Sequence, residues 1–265
     1  MASRPASPAV ARKANTFLEE AGRMYSVGLE AFHTAFRRPW PVQEFLDQMW
    51  FLAKVTTVPV ILISLPFGMV IALHVGSFVR QLGAQAHIGA AMVLAVVREE
   101  APVATALLIA GAGGSAMCAD RGARRVREEI DAMEVLGIDP VQRLIMPRIF
   151  AACIVAILLD GIVSVAGIAG GWFFAVVVQH ATTSSYFTGF NELAQIPDLF
   201  MALFKAAIFG YVSGMVACYK GFYAKGGPKG VDDAVNQAVV ITFLLLFFLN
   251  FILTALYFNF VPQKL

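Results

Sequence analysis

Two groups of residues in this sequence could do chemistry. In the first, Arg98, Glu99 and Glu100 follow one another inside an apolar stretch, and Lys205 interrupts another. Ionisable groups at membrane depth are costly, so they face one another or an internal cavity rather than lipid. Four such groups either line an internal cavity or form an ion-pair network that holds helices in register. A third use, a proton relay in a carrier driven by a gradient, draws on the same residues.

The second group lies in residues 121–148, which hold six Arg together with Glu128, Glu129, Asp131 and Glu134. Within this segment Val126, Ile130, Met133 and Gly137 share one narrow helical stripe, and Glu128, Asp131 and Glu134 occupy another face. Gly137 and Asp139-Pro140 stop the pattern, which predicts a short helix over about 126–137. A helix apolar on one side and acidic on another is suited to a groove of a soluble partner. The alternative is a solvated turn whose charges keep the loop in water.

Other chemistries lack their residues. His33, His74, His87 and His180 share no ligand spacing, and no Ser-His-Asp set or carboxylate pair converges on one place. Cys118, Cys153 and Cys218 lie in apolar runs, which fits packing residues and not a disulfide or zinc site. Gly226-Gly227-Pro228-Lys229-Gly230 has neither the spacing nor the preceding strand of a phosphate-binding loop and reads as a tight turn, with partner contact as the other possibility. No catalysis and no bound cofactor are expected of this chain.

The elements that position these residues are helices in a membrane. Of 265 residues, 58% are hydrophobic and 14% charged, and the mean hydropathy is +0.71, far from the composition of a soluble domain. A net charge of +2 leaves no electrostatic footprint for nucleic acid. Apolar runs over 55–79, 88–119, 149–178, 199–219 and 234–261 are each long enough to cross a hydrocarbon core of roughly 30 Å, and no barrel-like alternation is seen. No cleavable leader is expected, because the first 45 or so residues contain no uninterrupted apolar core.

Lys and Arg set the orientation. Arg4, Arg12, Lys13, Arg23, Arg37 and Arg38 precede the first run, six Arg lie in 121–148, and Lys220, Lys225 and Lys229 follow the fourth run. Residues 179–198 carry neither Lys nor Arg, and the link after the first run has only Arg80. The positive-inside rule therefore predicts a cytoplasmic N-terminus and an outside C-terminus. Splitting the second run at Arg98-Glu99-Glu100-Ala101-Pro102 would put the six-Arg loop outside, so one span is expected there.

Before the first span, Phe17, Ala21, Met24, Tyr25, Gly28, Phe32 and Phe36 recur at helical spacing, which predicts an interfacial helix or a cytosolic one packed on a partner. The expected division is a cytoplasmic segment over 1–48 and a transmembrane domain over 49–265. Gly111, Gly113 and Gly114, and Gly161, Gly167, Gly170 and Gly171, would let backbones approach closely.

The order of several motifs resembles one family. Val126-Arg127-Glu128-Glu129-Ile130-Asp131-Ala132-Met133-Glu134-Val135-Leu136-Gly137 is similar to the coupling-helix signature E-Q-I-D-A-L of MlaE/YrbE permeases, with departures at Glu129 and Met133. Val97-Arg98-Glu99-Glu100-Ala101-Pro102-Val103 resembles that family's V-R-E-L-G-P-V. Phe204-Lys205, Phe209-Gly210, Gly226 to Val231 and Ala234 to Val240 continue the match from about residue 45 to the end. Phe45-Leu46-Asp47-Gln48 and Arg127-Glu128-Glu129 are most similar to the A-type YrbE subunits of mycobacterial Mce transporters.

The resemblance implies an all-α ABC-transporter permease with an interfacial helix and five membrane helices, multi-pass in the inner (plasma) membrane. It implies lipid transport with MCE-domain proteins, a paralogous permease or second copy as the other half of a dimer, and ATP and Mg held by separate ATPase subunits. Glu128, Glu129, Ile130, Asp131, Met133 and Glu134 would form the ATPase-coupling segment, and Arg98, Glu99, Glu100 and Lys205 would line a lipid cavity. Asn250 joins that set by position, since it stands where many relatives carry the acid of D-x-x-L-T, here ahead of Leu253-Thr254. Implied substrates are fatty or mycolic acids, phospholipids or sterols. The competing readings are a proton-coupled carrier and a membrane-embedded lipid enzyme, the latter lacking a nucleophile.

Overall fold

The computed structural model describes residues 8–36, 40–81, 83 and 88–260. Arg4, Arg37, Arg38, His87 and the end of the expected fifth span at Val261 lie outside the described residues. Every regular element among the described residues is helical. We label them α1 (Pro8–Thr34), α2 (Val42–Gln81), α3 (a column over 88–126), α4 (Glu129–Val135), α5 (Val141–Val178), α6 (Thr183–Leu193), α7 (Ile196–Phe222) and α8 (Gly227–Phe260).

Four helices are long and apolar enough to cross a membrane: Val42–Val79, Val141–Val178, Ile196–Phe222 and Gly227–Asn259. All four begin earlier than the corresponding apolar runs do. Charged residues such as Glu44, Asp47 and Lys54 end an apolar run without ending a helix, because they continue the backbone ladder beyond the hydrocarbon. The column α3 holds the second apolar run, which is not among those four, and stays helical through Arg98-Glu99-Glu100-Ala101-Pro102.

Two wide π segments, Val93–Glu100 and Ile109–Gly113, interrupt the α geometry of α3. The first ends just before Pro102, which has no N–H to offer the Arg98 carbonyl one turn back. That carbonyl accepts instead from Lys205 Nζ on α7 at 3.1 Å. A sequence-level irregularity thereby becomes a tertiary contact.

Small residues bring the helices together. A Cβ on Gly68 of α2 would lie 2.1 Å from the Gly167 carbonyl oxygen of α5, and one on Gly170 would lie 2.2 Å from Leu65 O. The α2–α5 backbones meet where only hydrogen fits. Leu52, Ala152, Ala156, Ala206 and Ala217 belong to the main core between α2, α3, α5, α7 and α8.

Helix α1 buries Val27 and Ala31 in a second core with Ile145, Ile149 and Tyr219, and Tyr211 Oη donates to Gly28 O at 2.7 Å. Its other side exposes Tyr25, Leu29 and Phe32. An outer apolar stripe on a helix already seated on the body fits a position at the membrane surface. The sequence reading has no counterpart for α6, which Thr182 caps by accepting from Ser185 N at 3.3 Å. Its buried Tyr186 lies over the start of α3, where a Cβ on Gly89 would meet Tyr186 O at 1.8 Å.

Candidate functional site

Glu99, Lys205 and Asn250 come from three helices and meet. Lys205, which is 2% exposed, donates to Glu99 Oε1 at 3.0 Å and to Thr254 Oγ1 at 2.7 Å. Thr254 Oγ1 donates to Glu99 Oε1 at 3.0 Å, and Asn250 Nδ2 donates to Glu99 Oε2 at 3.0 Å. Asn250 and Thr254 are one turn apart on α8, so both reach the same carboxylate. An amide at 250 donates where a second carboxylate would repel, which accounts for Asn250 locally.

Arg98 points to a different partner that the sequence reading assigned to a loop. Asp198 receives Arg98 through Nε–Oδ1 at 2.8 Å and Nη2–Oδ2 at 3.0 Å. Tyr257 Oη also donates to Asp198 Oδ1, and the Arg98 guanidinium lies 5.8 Å from the Tyr257 ring centre. Asp198 has a local task as well, because it accepts from Gln195 N at 3.2 Å in the capping box that starts α7. The signal for Asp198 was present in Gln195-Ile196-Pro197-Asp198, a helix start whose acid is free to pair sideways.

Glu100 does not join this cluster. It is 6% exposed and neither carboxylate oxygen has a hydrogen-bond partner among the described residues. A Cβ on Gly167 would lie 3.2 Å from Glu100 Oε2, so the carboxylate occupies room that this glycine leaves. Asp160 on α5 is likewise fully buried with both oxygens unpartnered.

Beside these groups lies a cavity of about 450 Å³ between α2 and α3, lined by Ile63, Phe67, Ile71, Val103, Leu107 and Leu108 with Glu99 and Glu100. That volume falls within the roughly 300–1,000 Å³ of ligand pockets. Arg98 and Lys205 do not line it. Of the five expected cavity residues, Glu99 and Glu100 line this one, while Arg98 turns to Asp198 of α7 and Tyr257 of α8, and Lys205 to Glu99 of α3 and Thr254 of α8.

The coupling segment also departs from its expected form. A single helix over 126–137 is replaced by a break, with α3 ending at Val126 and α4 spanning Glu129–Val135. Glu128 between them adopts φ 60° and ψ 15°, the left-handed region, and cannot continue either helix. Gly137 at φ 73° ends the motif, where glycine carries no Cβ penalty. Ile130, expected among the contact residues, is fully buried against the chain's own Ile145 and Met146, and Met133 is half-buried beside it. The reason is the apolar stripe itself, which finds its partner within the chain.

The outward side of α4 carries Asp131 and Glu134, with Val135 88% and Leu136 74% exposed. Asp131 pairs with Arg125, and Glu129 Oε1 accepts from Arg127 Nε at 2.7 Å. Below this motif, Arg148 joins Glu44 of α2 at 3.0 Å to Asp120 of α3 at 2.8 Å. Arg121 donates to the same Asp120 oxygen at 2.6 Å. Burial alone would raise the Asp120 carboxyl, but the Arg121 hydrogen bond and the charges of Arg121, Arg148 and Arg124 outweigh it and hold the group below the usual carboxylate range.

The glycine-rich segment is a turn, with Gly226 at φ 93° and Gly227 at φ 70° leading into α8. Among the described residues no group of three His, Cys, Asp or Glu side chains could hold a metal, and all three cysteines are free.

The Permease MlaE family pattern matches residues 45–256. A probable ABC transporter permease protein of Rickettsia bellii is 30% identical over 91% of this chain and 93% of its own. One of Synechocystis is 35% identical over 72% and 73%. The intermembrane phospholipid transport system permease protein MlaE of Haemophilus influenzae is 29% identical over 84% and 85%. With a membrane-type helical fold and a match spanning the charge cluster, the cavity and the α4 motif, this chain belongs to the MlaE family of ABC-transporter permeases.

Proposed function

We propose that this chain is the permease subunit of an ATP-driven, Mce-type lipid transporter of the inner (plasma) membrane, an A-type YrbE subunit. In this reading α3 is the second of five spans, the N-terminus is cytoplasmic and the C-terminus outside. A separate ATPase, which holds ATP and Mg, docks on α4 through Glu128, Glu129, Asp131, Met133 and Glu134. Ile130 anchors α4 to the body and transmits its movement. The other half of the complex is a paralogous permease or a second copy, and MCE-domain proteins carry the lipid onward.

The observation that carries the proposal is the outward face of α4. Val135 and Leu136 stand almost free beside acids, in a segment whose six Arg favour the cytoplasmic side by the positive-inside rule. A helix bound below and apolar above has the form of a docking element. For the cargo, support comes from the apolar cavity between α2 and α3, and from the phospholipid transport named for the Haemophilus relative. Phospholipids, fatty or mycolic acids and sterols are the substrate class.

The test is Glu128→Arg combined with Asp131→Arg. The variant is expected to lose co-purifying ATPase and lipid transport while keeping the apparent melting temperature of the parent. Retention of both activities would refute the coupling assignment.

One observation favours a second reading, a proton-coupled carrier: Glu100 and Asp160 are buried with unpartnered oxygens. Uptake driven by a proton gradient in vesicles that lack any ATPase would decide for it.

A further inference from the structure

We infer that the α2–α3 cavity selects an amphiphile whose head carries a hydrogen-bond donor, a hydroxyl or an ammonium, and that Glu100 is the residue that selects it. This rests on the lipid-cavity reading above and narrows it.

The argument starts from an imbalance of partners. Arg98 is matched by Asp198 and Lys205 by Glu99, which leaves the Glu100 carboxyl of this segment without a counter-charge. It is 94% shielded, as its 6% exposure implies, and both oxygens lack a donor among the described residues. Burying such a group without a hydrogen bond is costly, and a cavity wall is where a ligand can supply the missing donor.

The surroundings fix the sign of the ligand. Among the described residues no Lys, Arg or His lines the cavity, and its second polar group, Glu99, is also an acid. The Glu99 side chain is 41% exposed even after its bonds to Lys205, Asn250 and Thr254. An anionic head would meet two carboxyl groups and no cation at the wall. A head that donates a hydrogen bond meets acceptors on both. The rest of the lining, such as Phe67 and Leu107, suits a hydrocarbon tail.

Gly167 leaves the space into which the Glu100 carboxylate fits. A leucine there would pack the same corner and offer no acceptor. The residue is thus placed to set specificity, with little part in holding the helices.

The experiment uses the full chain, stripped of lipid in detergent, with tritiated octadecan-1-ol as ligand and octadecyl methyl ether and octadecyl sulfate as competitors. The alcohol is expected to bind about tenfold more tightly than the ether, as one donated hydrogen bond to a buried acceptor allows. The sulfate should bind more weakly still. Glu100→Leu should keep its fold, melt no lower than the parent and bring the alcohol and the ether within about twofold of each other, with Glu99 still disfavouring the sulfate. Glu100→Gln should keep the preference for the alcohol over the ether, because the amide still accepts, and bind the sulfate better than the parent does.

Parent protein that binds the ether or the sulfate as tightly as the alcohol overturns the inference and leaves the lipid cavity standing. Glu100→Leu that changes the oligomeric mass but not the ligand ranking assigns the carboxyl to a contact between copies, and also overturns it. Parent protein that binds none of the three ligands refutes the lipid-cavity reading itself.

Discussion

Asp198→Asn isolates one charge with little other change. Asparagine can still cap α7 and accept from Tyr257, so the main loss is the negative charge opposite Arg98. The Arg98 and Asp198 side chains are 10% and 2% exposed, which makes this a buried pair with two contacts of 2.8 and 3.0 Å. Removing one member of such a pair costs about 3–5 kcal/mol, because the other charge remains desolvated. At about 2–4 °C per kcal/mol for a domain of this size, the apparent melting temperature should fall by roughly 6–20 °C. Thermal scans in detergent at one fixed rate measure it. Arg98→Met alone should cost a similar amount. The double variant should return to within about 2 kcal/mol of the parent, since no orphaned charge is left. If the two losses simply add, the pair is not coupled and the account of this cluster is wrong.

Further outcomes follow from other contacts. Gly170→Ala would place a methyl 2.2 Å from Leu65 O, so α2 and α5 must separate. The yield of monodisperse protein in size-exclusion chromatography should drop, and an unchanged profile would contradict the close approach. Ile130→Ala should cost about 2–5 kcal/mol of local stability, seen as faster hydrogen exchange in α4 and 141–149, with the outward acids untouched. Asp120 has a depressed carboxyl, so its stabilising contribution is complete above the unfolded value near 4 and is lost as pH falls through the lower folded value. Melting temperature should therefore decline below about pH 4, and Asp120→Asn should flatten that part of the profile. Arg148→Met should loosen the base of α2, because Glu44 and Asp120 lose their shared cation. Proteolysis within the first turns of α2 should then quicken, and equal rates would argue against the bridge.

Much of this protein is written locally. Apolar run length gave the long helices, because a hydrocarbon core of fixed thickness demands a fixed number of helical residues. The ionisable residues Arg98, Glu99, Glu100 and Lys205 stood out in the sequence because each breaks an apolar run, and the stripe of Ile130 and Met133 followed from helical period. Pairing was not legible. Arg98 and Asp198 are a hundred residues apart, and nothing local distinguishes Lys205, which meets Glu99, from Arg98, which does not. Which way an apolar stripe turns was equally hidden: Ile130 faces inward because α5 and α7 supply a core for it, while Val135 and Leu136 are left outside. The sequence by itself determined length, period and the positions of charge, which depend on neighbours along the chain. Only the tertiary structure decided partners, the break at Glu128 and the unmatched carboxyl of Glu100, since each depends on which helices approach closely enough to exclude water.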